Sequence, residues 1–180
     1  MNTFIILLRG VTPTGKNKVP MAPLRAALTE AGLKEVQTYI QSGNVIAESE
    51  LTRSDMERHV HEVIRHRFGG DITVIARTPT QFSEIFKRNP FTGADQRRLY
   101  FSLLSVKPDQ KFLKAFGSID FSPDQVRYAD RTIYTLYATR HSDSRFNNNY
   151  FERTLKVAAT TRNFNTMTRL SALADGRHPK

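Results

Sequence analysis

Five apolar residues in a row, Phe4-Ile5-Ile6-Leu7-Leu8, end at Arg9. The run has the length of a strand but lacks the alternation of a sheet with one wet face. A strand that is apolar on both faces has to be covered on both. The next segments can supply the cover. Pro20 suits a first helical position, and Met21, Leu24, Leu28 and Ala31 recur at helical spacing before Gly32. Residues 36–40 and 44–47 read as strands joined at Ser42-Gly43, a hairpin. Ser54-Asp55-Met56-Glu57 reads as a capping box, followed by the stripe Met56, Val60, Val63, Ile64 and Phe68 and a stop at Gly69-Gly70. Residues 72–75 form a fourth strand. Residues 1–77 thus run β-α-β-β-α-β, the ferredoxin-like order.

The pattern then partly repeats. Thr78 and Pro79 open a helix that turns Phe82, Ile85 and Phe86 inward, and Asn89-Pro90 closes it. Residues 92–98 read as a linker. A strand at 99–104 precedes a helix at 108–116 with Phe112, Leu113 and Phe116 inward. A hairpin of 125–129 and 132–137 turns at Asp130-Arg131. Asn147-Asn148-Asn149 reads as turn rather than helix, and 150–156 as a short helix. This is β-α-β-β-α without a clear last strand. The stretch Ala158 to Gly176 reads as a polar helix start, then a helix with Phe164, Met167, Leu170 and Leu173 on one face, stopped by Gly176 and Pro179. The expectation is an α+β fold with a ferredoxin-like first part and a second, smaller α+β part of similar order. The division is 1–77, a connecting helix and linker at 78–98, and 99–180.

The 180 residues include 39% hydrophobic ones, with 12 Phe and 6 Tyr, enough for a core. The absence of cysteine excludes disulfides and thiolate metal sites. The apolar run at 4–8 is too short for a signal peptide or a membrane span, so a cytoplasmic protein without a membrane partner is expected. A net charge of +10 biases the chain toward anionic partners. The charge is scattered in short clusters, at 65–67, 87–88, 97–98 and 177–180, so ordinary solubility accounts for it equally well.

LLRG at 7–10, GKNKVPM at 15–21, TYIQSGNV at 38–45, RNPF at 88–91 and ATTRNFNT at 159–166 occur in an order that resembles the bacterial domain of unknown function 1697 family. The resemblance covers nearly the whole chain. It implies a two-part α+β fold with a ferredoxin-like first part, and it implies no activity. Thr14 stands where the family usually has a glycine, and Pro13 stiffens the loop, which works against a close backbone approach to a ligand there.

Gly10 to Asn17 nearly matches a phosphate loop, but Asn17 replaces the hydroxyl that would hold Mg²⁺, and the helix starts late. The remaining readings are a basic loop that touches phosphate loosely and a plain connector. A right-handed crossover makes the first two strands parallel. Loop 9–18 then shares an edge with turn 41–44, about two strand spacings or ~10 Å away. The expected site joins Arg9, Lys16, Asn17, Lys18, Gln41, Ser42 and Asn44, closed by Thr161, Arg162 and Asn163 as donors at a helix start. Helix capping by Thr161 or Asn163 is the competing account of those last residues. The favoured ligand is a small phosphate-bearing, nucleotide-like anion. Nucleic acid is the less favoured partner, because Phe4 is the sole aromatic on the first and third strands. A protein-interaction module is a third reading. His59, His61 and His66 read as a solvated helix face, not metal ligands. The residues assign no catalytic group, metal, cofactor or oligomeric state.

Overall fold

A computed structural model describes residues 1–176. The expected stop at Pro179 and the basic cluster at 177–180 lie outside the described residues. The chain forms two compact units: residues 1–84 together with the chain from Arg169 onward, and Ile85–Thr168.

In the first unit β1 (Asn2–Leu8), α1 (Met21–Glu30), β2 (Lys34–Thr38), β3 (Asn44–Ser49), α2 (Arg53–Phe68) and β4 (Val74–Arg77) follow in that order. The sheet order is β2-β3-β1-β4, and all neighbours are antiparallel. The apolar run explains the central place of β1. Phe4, Ile6 and Leu8 enter a core with Leu24 and Leu28 of α1 and Val60 and Ile64 of α2. Ile5 and Leu7, on the opposite face, are fully buried as well.

Local departures from the expected elements have local causes. β2 ends at Thr38 instead of 40, because Ile40 turns into a left-handed conformation with its side chain exposed. The cap of α2 is Thr52, whose Oγ1 accepts from the Asp55 N–H, not Ser54. Replacing Thr52 with Ala should cost about 1 kcal/mol, the usual value of such a cap, read as a lower urea midpoint with an unchanged slope. Glu57 belongs to no capping box. Its carboxylate accepts from Arg53 at 2.8 Å and from the Ala76 N–H at 2.9 Å. That tie explains why β4 runs through Arg77 instead of stopping at 75. Arg77 is 4% exposed, donates to the Ala76 carbonyl and lies 3.9 Å from Glu57.

α3 (Pro79–Lys87) leads from one unit into the other. Thr78 and Gln81 cap it reciprocally: the Thr78 N–H donates to Gln81 Oε1 and the Gln81 N–H to Thr78 Oγ1.

The second unit continues with β5 (Leu99–Leu104), α4 (Gln110–Gly117), β6 (Gln125–Ala129), β7 (Thr132–Leu136), α5 (Asn148–Leu155), β8 (Ala159–Asn163) and α6 (Phe164–Ala174). Its sheet order is β6-β7-β5-β8, again antiparallel throughout. The last strand missing from the sequence reading is therefore present, and it is 159–163, which read as a helix start. Asn147 caps α5 through its Oδ1, so Asn148 and Asn149 are helical, not turn. Leu104, Phe116, Ile133, Phe151 and Leu155 build the core on one face. On the other face Phe101 meets Tyr134 edge-on at 5.5 Å, and the Tyr134 hydroxyl donates to the Ile85 carbonyl at 2.8 Å. Two sheets with the same strand order make this an α+β fold whose first part is ferredoxin-like and whose second part follows the same plan.

Candidate functional site

Loop 9–18 and turn 41–44 meet directly. The Leu8 N–H donates to the Gly43 carbonyl at 2.8 Å, and the Arg9 N–H to Thr73 at 3.0 Å. This is nearer than two strand spacings, because the turn folds back onto the end of β1. The approach requires glycine. Gly43 has φ +80°, and a Cβ there would stand 2.7 Å from Leu8 Cβ and 3.0 Å from Val11 Cγ2. Asn44 is fully buried and works from inside: its Nδ2 donates to the Tyr39 carbonyl and to Ser42 Oγ, both at 3.0 Å. It shapes the turn and does not present a donor to solvent.

The loop closes on itself. The Thr12 N–H donates to the Asn17 carbonyl at 3.0 Å, the Lys18 N–H to Gly15 at 3.2 Å, and Thr12 Oγ1 to the Thr14 carbonyl at 2.6 Å. A phosphate loop keeps such amides for its ligand and feeds a helix at once. Here they are spent internally, α1 begins only at Met21, and the sheet is antiparallel. What the loop does present is charge. Lys16 and Lys18 are exposed, and neither side chain has a hydrogen-bond or ion-pair partner among the described residues. No Asp or Glu occurs in residues 1–29 or 36–47. Asp71 follows Gly70, where an added Cβ would stand 3.2 Å from the Lys16 carbonyl, and its carboxylate lies 3.6 Å from His61.

Residues 161–163 sit in the second unit, on β8. The Thr161 hydroxyl is 2.7 Å from Ser102 Oγ and donates to Asn148 Oδ1 at 2.9 Å. Asn163 Oδ1 accepts from the Thr166 N–H at 2.8 Å and so caps α6, the competing account of its polarity. Arg162 Nη1 donates to Thr160 Oγ1 and to the Thr161 carbonyl. Burial pushes its guanidinium down to about 10, which leaves it charged at neutral pH. Thr161 and Asn163 thus hold their own unit together.

His59 and His61 are not simply solvated. Their rings contact the Ala31 and Ile72 carbonyls at 3.1 and 2.9 Å. No group of three or more metal-ligating side chains occurs among the described residues, and no helix among them is long and apolar enough to cross a membrane.

The sequence reading missed a cleft of about 780 Å³ in the second unit, where Arg97, Arg98 and Tyr100 face Arg140 and His141. The Arg97-Arg98 pair was its only signal. Arg140 and His141 lie in a polar stretch with no periodicity to mark it.

The model of a family described as a protein of unknown function, DUF1697, matches residues 1–134. A solved structure, that of the conserved bacterial protein SP0830 from Streptococcus pneumoniae, is similar at 22% identity and a TM-score of 0.74, over 96% of this chain and 98% of that one. At that identity the likeness concerns the fold. No curated protein matches.

Proposed function

The chain belongs to the DUF1697 family of proteins of unknown function, and from that premise we propose that it binds a small phosphate-bearing anion, nucleotides first among them, at the rim of loop 9–18 and turn 41–44. One observation carries this reading. Two unpaired, exposed lysines stand on a loop whose backbone is locked by its own hydrogen bonds, in a stretch without acidic residues. Arg9 starts the same loop, and Asn17, Gln41 and Ser42 offer neutral donors beside it. A locked loop loses little freedom when a ligand arrives, so more of the lysine–phosphate attraction appears as affinity. Because Thr161 and Asn163 are engaged within the second unit, the reading rests on the first unit alone.

Thermal shift with inorganic phosphate, AMP and ADP tests it. A ligand at a hundred times its dissociation constant adds about 2.7 kcal/mol of stability. We expect a shift for at least one of these probes that the double change Lys16→Ala with Lys18→Ala reduces, while the melting temperature without ligand stays the same. No shift for any of them, or a shift of undiminished size in the double variant, rejects the reading. Tight oligonucleotide binding with a steep loss in salt would put a nucleic-acid protein in its place.

A further inference from the structure

We propose that the second unit carries a separate site for a hydroxylated organic phosphate of the sugar-phosphate class, in the cleft between residues 95–100 and 139–143. It shares no residue with the rim in the first unit and does not depend on that reading.

The volume, about 780 Å³, lies within the range of roughly 300–1,000 Å³ that holds small ligands. Its charge is uneven. Asp95 grips Arg97 with a two-point contact, both distances 3.0 Å, and stands 3.8 Å from Arg98. Arg98 also donates to the Ala138 carbonyl at 3.1 Å. These bonds fix two guanidinium planes at the cleft edge. Arg140 is exposed on the facing segment, and its side chain has no hydrogen-bond or ion-pair partner among the described residues. It is the cation left over, since the nearby Asp143 accepts from the Ser142 hydroxyl at 3.1 Å.

The wall behind Arg140 is rigid. The His141 ring stacks on Tyr100 at 4.7 Å with 11° between planes, and meets Tyr137 edge-on at 5.1 Å. Its Nε2 is buried without a hydrogen-bond partner. Burial lowers its pKa, so the ring is neutral at pH 7 and the cleft's positive charge comes from guanidinium groups. Asp124, 9% exposed, pins the same segment by accepting from the Ala138 N–H at 2.7 Å and from Ser144 Oγ at 2.6 Å. Guanidinium forks match phosphate oxygens two at a time. A phosphate alone fills only a small part of this space. The Asp143 carboxylate and the Thr139 and Ser142 hydroxyls suit the hydroxyl groups of an attached body.

Amide NMR titration of the whole chain with ribose 5-phosphate tests the site. We expect saturable shifts at residues 95–100 and 139–143, whether or not residues 9–18 and 41–44 also respond. Arg140→Ala should weaken the binding read at 95–100 and 139–143 about tenfold or more, and Arg140→Lys by less. Inorganic phosphate should bind more weakly than the sugar phosphate. The proposal is overturned by an absence of saturable shifts in these segments, by unchanged affinity in Arg140→Ala, or by equal affinity for inorganic phosphate. Shifts confined to 9–18 and 41–44 and lost in Lys16→Ala would support the first-unit rim and reject this cleft.

Discussion

Gly43→Ala should destabilise the protein by roughly 2–5 kcal/mol. A left-handed backbone costs a residue with a Cβ about 1–2 kcal/mol, and overfilling a packed position typically adds about 1–3. Both apply here, because the new Cβ would stand 2.7 Å from Leu8 Cβ and 3.3 Å from the Leu8 carbonyl. Neither neighbour can move freely. Leu8 ends the buried central strand, and its N–H is bonded to Gly43 itself. Urea denaturation by circular dichroism measures the loss. Gly15→Ala is the control: that glycine also has positive φ, but a Cβ would meet nothing within 4 Å, so only the backbone cost of about 1–2 kcal/mol should appear. Equal losses in the two variants would show that the contact with Leu8 contributes nothing.

Alkaline pH should bring the next largest effect. Burial raises the Tyr134 phenol from 10.0 to about 12, and it raises Tyr137 too. The unfolded chain releases these protons near pH 10, the folded chain only at higher pH. Stability is therefore complete below pH 10 and is lost as pH rises toward about 12. At 1.36 kcal/mol per pKa unit, Tyr134 alone accounts for roughly 2–3 kcal/mol, and Tyr137 adds to it. Urea midpoints between pH 9 and 12 read the slope. Tyr134→Phe gives up the hydrogen bond to Ile85, about 1 kcal/mol, but it should flatten the slope. An unchanged slope in that variant would assign the alkaline loss to other groups.

Much of the architecture is written in apolar spacing. The run at 4–8, buried on both faces, the one-sided stripe along α2 and the hairpin expected at 125–129 and 132–137 each appear where the sequence places them, the last strand ending one residue early at Leu136. β8 escaped because neither of its faces is apolar beyond Ala159. Thr161 satisfies itself on Ser102 and Asn148, and Arg162 on Thr160, so polar side chains stand where a strand reading looks for aliphatic ones. The two β-branched threonines were the available signal. β4 was placed too early for a related reason: Arg77 is buried, and a charged residue reads as a strand end until its carboxylate partner, 20 positions away in Glu57, is seen. For the candidate rim, topology correctly puts loop 9–18 beside turn 41–44. It says nothing about which polar side chains are already spent, and Asn44, Thr161 and Asn163 all are.

The first unit takes residues 1–84 and then the chain from Arg169, whose guanidinium lies 5.9 Å from the Tyr39 ring. The second unit is one uninterrupted stretch, whereas the first is completed by chain that comes after it in sequence. A truncation directly after Thr168 would therefore keep every residue of the later-made unit and deprive the earlier-made one of its contact between Arg169 and Tyr39.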